Sequence, residues 1–404
     1  MTTWAVTRQT VLEVRIDGVL DTAAVSATCS FGFDQRYAEA TVTRTGGATL
    51  TISYWSAVEI RMGTTPGLGA TVRFAGYVVP IDNDLYPIAN VLHCKGRLYR
   101  AAWVRNQQLH GTDYAPPGTP VGSFLSDQAI VQDVLTKCGV PYTSALIGGT
   151  GKTLGRAWAE LFATDPLTPS PFVWAEDQAG LDFIESLDAA SVPDASGSGR
   201  YRTIESLDGT IHRIAVATVP AATADFTFTE GVDVFDARIS RDPTGAANRV
   251  MVDGMANGAG GVVAGDPGVF RHTVASPTAP YLPSGLPNGP DGYPEVTASF
   301  TSPVLEKSAI ADLSTVPGGP SVLMDVLSCE AVANHLLAEY NCVLDTLEFS
   351  TPRDDLLGPG QTIHLTSSRL GLTDAARHYW LQRLEITMDE RGAFTQRLVC
   401  IRRS

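Results

Sequence analysis

The feature that most constrains this chain is an alternation of apolar and polar residues with a period of two, present through about the first hundred residues and again through about the last sixty. At the start, Val11 to Ile16, Ala40 to Thr45, Ala48 to Tyr54, Val58 to Met62, Val72 to Val79 and Ile88 to Cys94 read as strands. At the end, Val343 to Ser350, Gln361 to Thr366, Tyr379 to Met388 and Ala393 to Ile401 do the same. Successive side chains of a strand point to opposite faces, so each run buries one face and wets the other. Thr, Val and Ile dominate the first set, as pleated, half-buried surfaces favour. Gly46-Gly47 separates two of these runs by the two residues a tight hairpin needs. A small antiparallel barrel or sandwich is expected at the start, and a second β-domain at the end.

Between them the texture changes. Pro116-Pro117-Gly118 and Pro120 mark a boundary after Trp103, beyond which apolar residues recur at helical spacing. Ser126 caps a helix whose Ile130, Val134, Leu135 and Cys138 share one face, and Gly139 with Pro141 ends it. Further helices are expected around Leu154, Trp158, Leu161 and Phe162, and over Leu181 to Ala190 with Phe183, Ile184 and Leu187 inward. Tyr201 to Ile204 and Thr210 to Val216 flank Asp208-Gly209, a hairpin signal. Strand-like pieces follow at Asp225 to Thr229 and Asn248 to Asp253. The segment from Asp253 to Pro294 then holds nine Gly and seven Pro among 42 residues, a density that reads as loops. Asp325 to Tyr340 places Val326, Cys329, Ala333, Leu336, Leu337 and Tyr340 on one face of an amphipathic helix. The expected fold class is a β-rich α+β multidomain chain. Its divisions are residues 1–104, a β-domain; 105–224, an α+β insertion; 225–324, strand and Gly/Pro-rich loops; and 325–404, a helix plus the closing β-portion.

A length of 404 residues with 44% hydrophobic and 18% charged residues supplies ample core, enough for about two to four domains. No apolar run reaches the roughly 18 residues of a membrane span, and Met1 to Arg15 lacks the charged and apolar regions of a secretory signal. A soluble product without stable membrane association is expected. The six cysteines (Cys29, Cys94, Cys138, Cys329, Cys342, Cys400) form no CxxC pair, so their spacing encodes neither a disulfide framework nor a zinc site, and they read as buried thiols in a reducing compartment. A formal charge of −14 argues against a phosphate-neutralising nucleic-acid binder. An acidic surface can suit a channel along which DNA slides without sticking, a use that requires oligomeric geometry. Only four of the 29 basic residues are Lys, a bias that GC-rich codons explain.

No motif carries a reaction. Gly148-Gly149-Thr150-Gly151-Lys152-Thr153 resembles a phosphate-cradling loop, but that pattern requires a glycine five positions before Gly151, where Leu146 stands. A helix-entry loop is the simpler reading. The histidines at 93, 110, 212, 272, 335, 364 and 378 form no HxH or HxxxH pair, although remote ones can still converge in space. Ser196-Gly197-Ser198-Gly199 lacks the spacing of a nucleophile elbow. Cys138 ends a helix, where the negative dipole end discourages a thiolate. Asp354-Asp355 and Asp389-Glu390 offer the paired carboxylates a glycosidase needs, but both sit in expected turns, where such residues are ordinarily solvated. Asp266-Pro267-Gly268 and Asp291-Gly292 lack the alternating oxygen ligands of a calcium loop. Tyr281 and Tyr293 are the one suggestive pair for a glycan- or receptor-binding face. No catalytic, cofactor or metal-binding residue is assigned.

Three stretches together resemble the hub proteins that close the tail tube of bacteriophages and related injection machines. The first is Val72-Arg73-Phe74-Ala75-Gly76-Tyr77-Val78-Val79 followed by Asn90-Val91-Leu92-His93-Cys94-Lys95-Gly96-Arg97-Leu98. The second is Leu181-Asp182-Phe183-Ile184 with Tyr201-Arg202-Thr203 and Asp208-Gly209. The third is Leu357-Gly358-Pro359-Gly360-Gln361-Thr362-Ile363, Arg369-Leu370-Gly371-Leu372 and Tyr379-Trp380-Leu381-Gln382-Arg383-Leu384-Glu385-Ile386. The resemblance implies two tail-tube-like β-barrel domains with an α+β insertion, in a homotrimer whose ring joins a sixfold tube to threefold tip parts. It implies a virion location at the tail tip, with assembly in the host bacterial cytoplasm. The implied partners are distal tail or tail-tube ring proteins, the tape-measure protein and tip fibre or spike proteins, with DNA only passing through a channel. No cofactor and no enzymatic activity are implied. The alternatives are a distal tail ring protein, a cell-wall-cleaving tail enzyme and a glycan-binding module.

Overall fold

The computed structural model describes residues 9–45, 52–65, 70–79, 91–109, 111–114, 125–149, 173–190, 201–215, 220–234, 236–242, 246–256, 269–275, 297–301, 329–342 and 344–403. The first β-block comprises β1 (Gln9–Ile16), β2 (Val19–Leu20), β3 (Ala24–Gly32), β4 (Glu39–Arg44), β5 (Ala57–Thr65), β6 (Val72–Val78) and β7 (Val91–Gly96). They pair antiparallel in the order β3-β4-β7-β6-β5-β1-β2. The alternation seen in the sequence becomes alternation of burial. In β4, Ala40, Val42 and Arg44 are buried while Glu39, Thr41 and Thr43 are not. The hairpin expected across Gly46-Gly47 is not what β4 makes, because both its edges are already occupied, by β3 and by β7. Residues 46–51 lie outside the described ones, and Ile52 to Tyr54 are not strand.

The insertion follows with α1 (Tyr99–Trp103), β8 (Thr112–Asp113), α2 (Asp127–Lys137), a 3-10 turn at Ser144–Leu146, β9 (Val173–Trp174), α3 (Gly180–Ala190), β10 (Tyr201–Glu205) and β11 (Ile211–Ala215). The Ser126 side chain caps α2 by accepting from the Ala129 amide at 3.2 Å. Gly139 ends it at φ +66°, a left-handed conformation that costs glycine little. Ile130, Val131, Val134 and Leu135 of α2 pack with Leu181, Phe183, Ile184 and Leu187 of α3 in one core. Asp208-Gly209 makes the β10–β11 turn. The helix expected around Leu154 to Phe162 lies outside the described residues.

The second β-block opens with β12 (Phe226–Thr229) and β13 (Arg238–Asp242). A separate three-stranded sheet follows, β14 (Arg249–Ala256), β15 (Val269–Ala275) and β16 (Thr297–Thr301), in the order β15-β14-β16. The segment expected to be all loops therefore contains a strand, Val269–Ala275, and takes in the end of another. Gly and Pro are dense on either side of Val269-Phe270-Arg271-His272-Thr273-Val274, and the density masked a run whose own residues favour strand. Then come α4 (Cys329–Tyr340), β17 (Leu344–Thr351), β18 (Thr362–Thr366), β19 (Tyr379–Met388) and β20 (Phe394–Arg403).

The two blocks are one sheet. β3 pairs antiparallel with β19 from Arg383↔Gly32 to Met388↔Ala27, giving the continuous order β13-β17-β20-β19-β3-β4-β7-β6-β5-β1-β2. A single core runs through both, joining Cys29, Phe31, Ile60 and Phe74 to Phe349, Leu384, Ile386 and Leu398. A buried ion pair crosses the same junction. Arg73 of β6 is 0% exposed and meets the Asp354 carboxylate, which is 3% exposed and lies beyond β17. The guanidinium also donates to the Met62 carbonyl at 3.1 Å and the Asp355 carbonyl at 2.8 Å, and Asp354 accepts from the Thr64 amide at 2.7 Å. The expectation that Asp354 is an ordinary solvated turn residue is thus corrected. Its neighbours in sequence say turn, while its charge is claimed by an arginine 281 positions away.

Two tests follow from this packing. Asp354→Ala strands a guanidinium in the core and is expected to cost about 3–5 kcal/mol, read as a lowered urea midpoint. Replacing both partners by apolar residues of similar volume, as in Arg73→Met with Asp354→Leu, is expected to cost far less. Burial pushes the Cys94 thiol up to about 12 and the Cys29 thiol well above its ordinary value. Both are therefore expected to stay unreactive to a thiol-specific chromogenic disulfide at pH 8 until the chain is unfolded.

Candidate functional site

Those residues singled out in the sequence that lie among the described ones occupy structural positions. Gly148 and Gly149 lie against Arg213 and Tyr201, but they present carbonyls: Arg213 Nη1 donates to the Gly148 oxygen at 2.9 Å and the Tyr201 hydroxyl to the Gly149 oxygen at 2.8 Å. A phosphate cradle needs amides aimed inward, so the polarity here is reversed. Positions 150–153 lie outside the described residues, as do Ser196 to Gly199, Asp266 to Gly268, Tyr281, Asp291 to Gly292 and Tyr293. His364 and His378 do converge, with ring centroids 5.7 Å apart. Their ring nitrogens are engaged by the Arg377 carbonyl, the Thr366 hydroxyl and the Ala221 carbonyl. Among the described residues no group of three or more His, Cys, Asp or Glu could hold a metal ion. Asp389 accepts from the Arg391 and Ala393 amides of its own turn. Burial raises the Cys138 thiol to about 11.

Arg213 is itself a centre of order. Buried on β11, it meets Asp127 at the start of α2 and Asp188 on α3, both at 2.7 Å, and stacks over the Tyr201 ring at 4.6 Å. Desolvation disfavours its charge, while the two carboxylates more than offset that, so its affinity for the proton is raised. No local pattern signals the triad, because 86 positions separate Arg213 from Asp127.

The surface with the chemistry of a binding site lies where the first block meets the insertion. Trp55 precedes β5, Tyr77 lies on β6, and Tyr99 and Trp103 lie on α1. Trp55 stacks on Tyr99 at 5.7 Å with rings 22° apart, and touches Trp103 and Tyr77 at 5.8 Å. Trp103 is 62% exposed and Tyr54 58%. Trp55 is held at φ +68°, a left-handed conformation that costs a bulky residue on the order of 1–3 kcal/mol. Its amide donates to the Val78 carbonyl at 2.8 Å, so the end of β6 holds the strained residue in the stack.

Beside this stack opens a groove of about 540 Å³ lined by Trp103, Arg105, Gln107, Gln108, Lys137 and Trp174, among others. Residues 91–112 carry Lys95, Arg97, Arg100 and Arg105 and no carboxylate, on a chain whose net charge is −14. The surface is therefore aromatic with a charged margin, in which Arg105 pairs with Asp177 and Lys137 with Asp133. The i, i+4 pair Tyr99 and Trp103 was the one local signal of it, since Trp55 and Tyr77 reach the stack only through strand pairing.

No protein-family model matches this chain, and no curated protein matches it. Two solved structures are similar over nearly the full length of both chains. One is the 43 kDa tail protein of prophage MuSo2 from Shewanella oneidensis, with a TM-score of 0.57 at 9% identity over 97% of this chain and 98% of that one. The other is the tail protein from Neisseria meningitidis MC58, with a TM-score of 0.57 at 10% identity over 97% and 96% of the two chains. From its first strand to its last, this chain has the β-rich fold of phage tail proteins.

Proposed function

We propose that the chain is the structural hub of a phage tail tip or baseplate, a subunit of a trimeric ring that closes the tail tube and surrounds the passage for DNA and the tape-measure protein. The observation that carries this reading is the joining of two β-blocks into one continuous sheet through β3 and β19. Three copies with two blocks each give six β-segments, the number needed to seat a sixfold tube on a threefold tip. Such a subunit works by burying surface against its neighbours. The Trp55, Tyr99 and Trp103 stack is the surface suited to it, because exposed Trp and Tyr with Arg at the margin are the residues that carry binding energy at interfaces. The partner assigned to it is the next copy in the ring. Distal tail and spike proteins then dock above and below.

The stack and its groove also favour a second reading, a glycan-binding face, since aromatic rings beside amide side chains suit a sugar. The two part company in one experiment. Light scattering and negative-stain images of the purified chain are expected to give threefold particles with a central hole. Sixfold rings would assign the chain to the distal tail instead. Trp103→Ala is expected to leave folding intact and weaken assembly by about 2 kcal/mol or more, roughly thirtyfold. Unchanged assembly with lost binding on a glycan array would transfer the surface to the second reading.

A further inference from the structure

Glu205, the last residue of β10, is buried where the insertion meets the first β-block, and among the described residues no Lys or Arg forms an ion pair with it. One carboxylate oxygen accepts from the Ala38 amide at 3.0 Å, and the Arg97 and Leu98 amides, in the turn leaving β7, also approach the carboxyl group. Its other oxygen, Oε1, has no hydrogen-bond partner of good geometry. Gly96 makes the space: a Cβ there would collide with the Glu205 carboxylate. Two residues further on, Leu207 enters the core shared by the two β-blocks, and Gly209 rests against the Ala75 carbonyl. The other end of the same hairpin is fixed to the helices. Thr203 donates its amide to Asp188 at 2.7 Å, and Arg213 joins Asp188 to Asp127. The β10–β11 hairpin is therefore the strut between insertion and sheet, anchored by an ion triad at one end and by a lone carboxyl group at the other.

We propose that this hairpin is a proton-operated latch, which grips the first β-block while Glu205 is protonated and loosens its grip when Glu205 ionises. The geometry supplies the asymmetry. In the docked hairpin the carboxyl group is dry and, among the described residues, forms no ion pair, and in the undocked hairpin it is in water. Desolvation pushes the docked carboxyl up to about 7, against the amides and Arg97, which act in the opposite direction. The charged and titratable neighbours on each packed element are otherwise engaged or set back. Lys95 of β7 pairs with Glu39 of β4. Asp208 in the turn accepts from Ser206 and Thr210, which hold it below its usual range. His212 on β11 lies opposite Ile204 in the register.

The sign follows from proton counting. Below about pH 4.5 both docked and undocked hairpins hold the proton, and docking is strongest. From there to about pH 7 the docked hairpin keeps a proton that the undocked one has released, so docking weakens by about tenfold per pH unit. Above about pH 7 both are ionised and the dependence ends.

Hydrogen exchange of the full chain tests this, with protection corrected for the intrinsic rate and read for amides of residues 201–215 against those of β19 and β20. Between about pH 5.5 and 7 hairpin protection is expected to fall roughly tenfold per unit and then level, while β19 and β20 show no such step. Glu205→Gln, which keeps the shape without the charge, is expected to abolish the step. His212→Gln is expected to retain it. A wild-type hairpin without the step, a step that survives Glu205→Gln, or one that disappears in His212→Gln overturns the latch. Should Glu205→Gln fail to fold, the infrared band of a protonated carboxyl in the wild type at about pH 6 decides in its place, its absence counting against the proposal.

Discussion

Antiparallel pairing between β3 and β19 holds together parts of the chain that are 359 positions apart, with the Thr28 and Thr387 hydroxyls meeting across the two strands at 3.3 Å. Without it the molecule would be two half-sheets, each with an open edge and an incomplete core. With it, one apolar interior extends from Val14 to Cys400, and the Arg73 guanidinium acquires the carboxylate that makes its burial tolerable. The ion pair depends on the strand pairing more than the reverse. Buried ion pairs return little more than their desolvation cost, so the driving force at this junction is the apolar area that β3 and β19 cover together.

Legibility in the sequence tracked how local the governing interaction is. The capped helix over Asp127–Lys137, the Asp208-Gly209 hairpin and the four closing strands were all readable, because caps, turns and alternation act within a few residues. β3 was not. Ala24 to Gly32 alternates in the structure, with Ala27, Cys29 and Phe31 inward and Ser26, Thr28 and Ser30 outward. The contrast between Ala or Cys and Ser or Thr is too small to stand out as a strand signal. Gly46-Gly47 misled for the opposite reason, since a strong local turn signal competes with β4 having both edges filled from elsewhere. Asp354 and the Trp55 stack were hidden alike, for their roles are set by partners that only the completed sheet supplies.

The insertion is attached to this sheet by means different from those that hold the sheet together. Its helices share a core with Val250, Ala333 and Leu336, while its hairpin reaches into the core of the β-blocks through Leu207. The aromatic stack sits on the same seam, with Trp55 and Tyr77 contributed by the sheet and Trp103 by α1. Any change in the angle between insertion and sheet would therefore alter the face shown to a neighbour. The Glu205 anchor and the exposed tryptophan are two ends of one joint.

The separation of β3 from its partner also bears on how the chain is made. At synthesis rates of about 5–20 residues per second, β3 leaves the ribosome roughly 20–70 seconds before β19 exists to cover it. During that interval one side of a nine-residue strand stands open, the circumstance in which sheet edges recruit the wrong neighbour. The small, weakly apolar side chains that hid β3 from a reading of the sequence also make it a poor seed for aggregation. Its reticence as a strand is a form of protection, held until the last hairpin of the nascent protein arrives.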